Sequence, residues 1–147
     1  MKNMKSEPIK ILLVEDNPAD ARLTAEGLKE CRVLNELYTV DDGNKAIDFL
    51  NKEKEFINIP KPDLILLDLN LPGMDGKEVL NYIKNHNEFK KIPVLIMSSS
   101  SAEEDIKETY ALQANCYIKK PIEFNDFIEI VKTIDNYWFS IVKLPVK

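Results

Sequence analysis

Five short apolar runs recur along the chain, each followed by a polar break and then an amphipathic stretch, and this alternation constrains the fold more than any other feature. The runs are "IKILLV" (9–14), "ELYTV" (36–40), "DLILL" (63–67), "PVLIM" (93–97) and "CYI" (116–118). Segments this short and this apolar suit strands covered on both faces, as in a parallel sheet between helices. The second and fifth are less apolar and are expected to be the more exposed. Between the runs the period becomes helical: Ala21, Ala25 and Leu28 share a face, as do Ala46, Phe49 and Leu50, then Val79, Tyr82 and Ile83, then Ile106 and Tyr110. The last stretch carries the clearest stripe, Phe124, Phe127, Ile128, Val131 and Ile134, at i, i+3, i+4, i+7 spacing.

Helix starts agree with this parsing. Asn17-Pro18 reads as N-cap and first helical position, and Asp75 with Glu78 and Ser101 with Glu104 have capping-box spacing. Five strand–helix alternations predict an α/β fold with right-handed crossovers and a doubly wound parallel sheet. Ligands then gather at the carboxyl ends of the strands, near the point where strand order reverses. The segment 51–62, "NKEKEFINIPKP", is longer than a minimal connection and is expected to be a surface excursion.

The strand ends carry the chemistry. Glu15 and Asp16 follow the first run, Asp68 the third, Ser98 the fourth, and Lys119-Lys120 the fifth. If the first and third strands are neighbours, three carboxylates converge, and each pair about 4 Å apart would repel by roughly 4 kcal/mol at the effective dielectric of a protein surface. A cation must therefore sit there. Oxygen ligands with room for water suit magnesium, and one of the two lysines, which strand alternation aims at opposite faces, can reach the cluster. In "LPGMDG", Pro72, Gly73 and Gly76 bracket a tight turn that keeps the next helix from covering Asp68.

Other features exclude function classes. The formal net charge of -5 without a basic stripe speaks against nucleic acid. The N-terminal apolar run is too short for a signal peptide or a membrane span, so a cytoplasmic protein is expected. With 147 residues the chain reads as one domain that needs no staple. Cys31 and Cys116 belong to no CxxC pattern and are expected to be reduced small hydrophobes. His86, the one histidine, is expected at a solvated helix end.

In combination, Glu15-Asp16, "DLNLPGMDG" around Asp68, Ser98 and Lys120-Pro121 resemble the receiver domain of two-component response regulators, similar to the chemotaxis response regulator in plan, over residues 8–136. The resemblance implies a flavodoxin-like (βα)5 sheet of strand order 2-1-3-4-5 and a phosphoryl group accepted on Asp68 from a sensor histidine kinase. It implies Mg2+ held by Asp16, Asp68 and the backbone carbonyl of Asn70, with Glu15 acting through water. Lys120, the lysine before proline, and Ser98 would stabilise the phosphoryl group, Tyr117 would turn inward as Ser98 moves, and Pro121 is a candidate cis proline. Ser98 stands where the family often has threonine; Ser100 and Asn70 lie where the family tunes acyl-phosphate lifetime.

Such a protein is not an enzyme in the ordinary sense; it takes part in its own phosphorylation and dephosphorylation. Its output would be binding of a downstream protein target or transfer to a histidine phosphotransfer protein. The stretch 137–147 carries Tyr137, Trp138 and Phe139, which either fold back on the domain or form a contact with a kinase or a second copy in a homodimer. That tail, with "KPDLILLDLNLPGMDGKEVL" and "NCYIKK", resembles the small response regulators paired with cyanobacterial-type phytochrome kinases. A haloacid-dehalogenase-type phosphatase would carry a second aspartate where Asn70 stands, and a flavin carrier would not place Glu15, Asp16 and Asp20 in its phosphate loop. A longer parent polypeptide also stays open.

Overall fold

The computed structural model describes residues 8–30, 34–100 and 102–120. The expectations that rest on Cys31, Ser101, Pro121, the stripe from Phe124 to Ile134, and Tyr137, Trp138 and Phe139 lie outside these residues.

The order of elements is β1 (Ile9–Val14), α1 (Pro18–Leu28), β2 (Asn35–Val40), α2 (Gly43–Leu50), a 3-10 turn (Lys54–Phe56), β3 (Leu64–Asp68), α3 (Gly76–Lys84), β4 (Val94–Ser98), α4 (Glu103–Ala111) and β5 (Cys116–Lys119). The five strands form one sheet of order β2-β1-β3-β4-β5, with all four pairings parallel. The chain reverses strand order between β1 and β3, so a crevice opens at their carboxyl ends.

Strand alternation divides the core in two. Leu12, Val14, Ile65, Leu67, Val94 and Ile96 point to one face, where Phe49, Val79, Leu80 and Ile83 of α2 and α3 cover them. Ile9, Ile11, Leu13, Leu64, Leu66, Leu95 and Met97 point to the other, against Leu28 of α1. Truncating one of the fully buried leucines, such as Leu67, would cost about 2–5 kcal/mol. The edge strands β2 and β5 are the less buried ones, as their composition predicts.

Asn17 caps α1, its side chain accepting from the amides of Ala19 and Asp20, and Asp75 and Glu78 complete a reciprocal capping box on α3. The N-cap of α4 is Ala102, which makes no side-chain cap, and the Ser100 hydroxyl accepts from the Ala102 amide. The α4 face differs from expectation. Thr109 is the buried residue, its hydroxyl donating to the Ile106 carbonyl, while Tyr110 is exposed. A threonine that satisfies its hydroxyl within its own helix can be buried, which apolar counting does not anticipate. His86 lies just beyond α3, half-buried, with its ring stacked on Phe89 at 4.0 Å between centroids. Residues 51–62 contain the 3-10 turn, from which Phe56 packs on Phe49 at 5.3 Å.

Candidate functional site: a carboxylate cluster with one lysine

β1 and β3 are hydrogen-bonded neighbours in register Val14 to Leu67, so Glu15 and Asp68 leave adjacent strands at the same level. Glu15, Asp16 and Asp68 each bring a carboxylate oxygen within 4.8 Å of the others, Glu15 and Asp68 buried and Asp16 exposed. An all-oxygen set with one open side fits a hard divalent cation that keeps water ligands.

The Lys120 ammonium enters from the end of β5. Its Nζ lies 2.8 Å from Glu15 Oε1, 2.9 Å from Asp20 Oδ2 and 3.4 Å from Asp68 Oδ2. Lys119, the adjacent residue, points the other way and is exposed, as alternation requires. The Lys120 backbone amide donates to the Ser98 carbonyl, so β4 carries the lysine into place. The second Glu15 oxygen accepts from the Asn17 amide, and Asp68 Oδ1 accepts from the Asn70 amide at 3.1 Å. Burial pushes the Glu15 carboxyl up to about 7, against the pull of Lys120 and with the neighbouring Asp68 adding to the rise. Burial presses the Lys120 ammonium downward, but the hydrogen bonds it donates to Glu15 and Asp20 outweigh that and hold its pKa above the ordinary lysine value. Lys120 is thus a fixed cation in an acidic pocket.

Asp68 ends β3 and the turn after it is shaped by glycine. A Cβ on Gly76 would stand 2.5 Å from the Asp68 carbonyl oxygen and from Leu69 Cα, and Gly73 sits at φ +72°. The start of α3 can therefore lie directly against the strand end, yet the Asp68 side chain is only 5% exposed, so the turn does not leave it as uncovered as the sequence predicts. Asp16, Asn70 and Pro72, with Lys77 and Asp105, line an open groove of about 530 Å³ at this edge.

Ser98 is fully buried at the end of β4, and its hydroxyl oxygen accepts from the Ser100 amide. Tyr117, on β5, is half-buried and donates from its hydroxyl to the Ser100 carbonyl at 2.8 Å. The Ser100 hydroxyl donates to Asp105, which with Glu108 holds Lys77 of α3. The residues singled out from the sequence that fall within the described chain thus converge: Glu15, Asp16, Asp68, Asn70, Ser98 and Lys120 at one edge, with Tyr117 linked to Ser98 by two hydrogen bonds through Ser100. Sequence reasoning missed Asp20 as a partner of Lys120. Its place in the first turn of α1, three residues after the Asn17 cap, is the signal that would have turned it toward the strand ends.

A parallel 2-1-3-4-5 sheet with an acidic triad and a lysine at its carboxyl edge defines a receiver, and the family model described as response regulator receiver domain matches residues 11–132. The chain belongs to that family.

Among individual proteins, it is similar to the response regulator Rcp1 of Synechocystis sp., with 43% identity over 145 residues covering 99% of each chain. It is also similar to the probable methanogenesis regulatory protein FilR2 of Methanothrix harundinacea, at 34% identity over 95% of this chain and 89% of that one. Among solved structures, it superposes on the phosphorylated cyanobacterial phytochrome response regulator RcpA with TM-score 0.84 and 47% identity, covering 92% of this chain and 96% of that one. The Mn2+-bound form of Rcp1 gives TM-score 0.81 and 44% identity over 89% and 94% of the two chains. The chain is accordingly a response regulator of phosphorylation-based signalling, and Glu15, Asp16 and Asp68 form an oxygen-donor group of the kind that can hold a metal ion. No helix among the described residues is long and apolar enough to cross a membrane.

Proposed function

We propose that Asp68 is the phosphoacceptor and that the receiver occupies residues 8–136, with residues 137–147 as an apolar extension. The carrying observation is the Lys120 ammonium held by Glu15 at 2.8 Å and standing 3.4 Å from Asp68 Oδ2, at the open edge of the sheet. An Asp68 oxygen attacks phosphorus, a P–O bond forms as the P–N bond of the donor's phosphohistidine breaks, and the electron pair leaves on the imidazole nitrogen. Lys120 meets the charge that collects on the transferring oxygens, and a Ser98 hydroxyl turned toward the site donates to one of them.

Glu15 through water, Asp16, Asp68 and the Asn70 carbonyl would hold Mg2+. Bound there, the ion would neutralise the equatorial phosphoryl oxygens. The bound Mn2+ of the similar Rcp1 supports a divalent site, and the phosphorylated state of RcpA supports acceptor chemistry.

The output reading is a change at Ser98 passed through Ser100 to Tyr117, with Pro121 fixing the approach of Lys120, and recognition of a downstream protein by the altered face. The donor is a sensor histidine kinase of phytochrome type, a reading supported by the likeness to RcpA. The protein works in the cytoplasm, and Tyr137, Trp138 and Phe139 contribute to a kinase or homodimer contact.

The test is phosphoryl uptake from acetyl phosphate or phosphoramidate, with and without magnesium, read by intact mass. A magnesium-dependent gain of one phosphoryl group that vanishes in Asp68→Asn is expected. No gain under any condition would reduce the protein to a binding module, and retained stoichiometric labelling in the variant would remove Asp68 from the role.

A further inference from the structure

Lys120 has three ammonium protons, and the site gives it three carboxylates: Glu15 at 2.8 Å, Asp20 at 2.9 Å and Asp68 at 3.4 Å. An ammonium has no fourth donor. When a phosphoryl group arrives, the Asp68 oxygen becomes part of a neutral acyl group and the charge passes to the phosphoryl oxygens, so the ammonium must swing to follow it, and its hydrogen bonds to Glu15 and Asp20 resist that movement. The two are not equally easy to abandon. The Glu15 side chain is 0% exposed, so an unpaired charge there would lack solvent, whereas that of Asp20 is 38% exposed and water can replace the lysine. Asp20 is also the partner with no other function in the site. It sits in the first turn of α1, its amide engaged by the Asn17 cap and its carbonyl by the Thr24 hydroxyl, so its carboxylate is held at that place by the helix.

We propose that Asp20 is a positioning residue: the resting partner of Lys120, holding the ammonium toward α1 and releasing it when Asp68 is phosphorylated. The pair loads the barrier asymmetrically. Uptake starts from a state in which Lys120 is bound to Asp20, and that bond must be broken on the way to the transition state. Loss of the phosphoryl group starts from a state in which Lys120 has already left Asp20. Removing the Asp20 charge therefore speeds uptake and leaves the decay of the phosphorylated form nearly unchanged. Damage to the α1 cap or to the site would move both rates.

The inference rests on Asp68 as acceptor, and the test keeps the two apart. Phosphoramidate is the donor: its P–N bond breaks, an Asp68 oxygen takes the phosphoryl group, and ammonia carries off the electron pair and a proton. Uptake and, after donor removal, decay are followed by intact mass at magnesium concentrations that saturate each variant, for wild type, Asp20→Asn and Asp41→Asn. Asp41, which pairs with Lys45, follows β2 at the same sheet edge and serves as the control for lost negative charge. The expected result is an uptake rate about threefold to fivefold higher in Asp20→Asn, the upper end of what a partly exposed ion pair contributes, with decay within about twofold of wild type and Asp41→Asn unchanged in both. Equal uptake in wild type and Asp20→Asn, parallel shifts in uptake and decay, or the same gain in Asp41→Asn would each overturn the role of Asp20. Labelling that survives Asp68→Asn would instead overturn the acceptor assignment beneath it.

Discussion

The Tyr117 hydroxyl on β5 donates a 2.8 Å hydrogen bond to the carbonyl of Ser100, whose amide in turn donates to the hydroxyl oxygen of Ser98. One loop residue therefore joins the strand end nearest the acidic cluster to the aromatic side chain of the neighbouring strand. In this arrangement the tyrosine is tied to the β4–α4 loop, so a movement of Ser98 toward Asp68 pulls on the same residue, through the peptide that precedes it.

Tyr117→Phe deletes the hydroxyl and leaves the ring. The Ser100 carbonyl is near the surface and can turn to water, so a stability loss of about 1 kcal/mol is expected in urea unfolding. Amide exchange at Ser99, Ser100 and Ala102 should accelerate while exchange in β1 and β3 stays as it was. Uniform acceleration across the sheet would mean that the ring, not the hydroxyl, carries the effect.

Lys77 ties the first turn of α3 to α4 through Asp105 at 2.6 Å and through Glu108. The hydrogen bonds from Lys77 and Ser100 hold the Asp105 carboxyl below its ordinary range, and Asp105 and Glu108 hold the Lys77 ammonium above its own. A carboxyl with a depressed folded-state pKa contributes stability above its unfolded value, and that contribution is lost as pH falls through the folded value. Lys77→Ala should therefore lower Tm at pH 7 in low salt, with the difference shrinking in 1 M NaCl and again as pH falls below the ordinary carboxylate range. A Tm difference that persists under both conditions would assign the loss to packing of the lysine stem.

Much of this arrangement was legible in the sequence because backbone rules act locally. β1 falls on Ile9–Val14 as its apolar run predicts, and β3 and β4 fall one residue later than theirs, ending on the chemically active Asp68 and Ser98. Polar residues at a strand end look like loop in a hydropathy pattern, although their backbone still pairs in the ladder. The carboxylates could be placed at the strand ends, and strand alternation brought one of two adjacent lysines to them; that it is Lys120 followed from the resemblance to receivers, through the proline after it. Asp20 could not be placed, because its contact with Lys120 spans 100 residues and depends on how α1 leans on the sheet. The Ser100 hub was equally hidden, since its role comes from its amide, carbonyl and hydroxyl together rather than from its residue type.

Gly76→Ala places a methyl where the Asp68 carbonyl and Leu69 Cα already stand at 2.5 Å, both backbone atoms that cannot rotate away. The start of α3 must shift, with an expected cost of about 1–3 kcal/mol and a displaced Asp68. Stability and phosphoryl uptake should fall together. Loss of uptake with an unchanged urea midpoint would mean that the turn tolerates the methyl and that access alone is impaired.

Burial lifts the Glu15 carboxyl from 4.5 to about 7 in the metal-free protein. Between those values the folded chain binds a proton that the unfolded chain has released, so stability falls as pH rises through this window and the penalty is complete above it. A divalent ion favours the ionised carboxylate and should reverse the trend. Two results are expected: metal-free protein more stable at pH 5 than at pH 8, and magnesium binding at pH 6 that releases up to one proton. The release is read as a binding enthalpy that changes with the ionisation enthalpy of the buffer. Glu15→Gln should abolish both the pH slope and the proton release. Asp16→Asn, at an exposed position, should weaken metal binding with little change in metal-free stability. Proton release that survives in Glu15→Gln would move the titrating group elsewhere in the cluster.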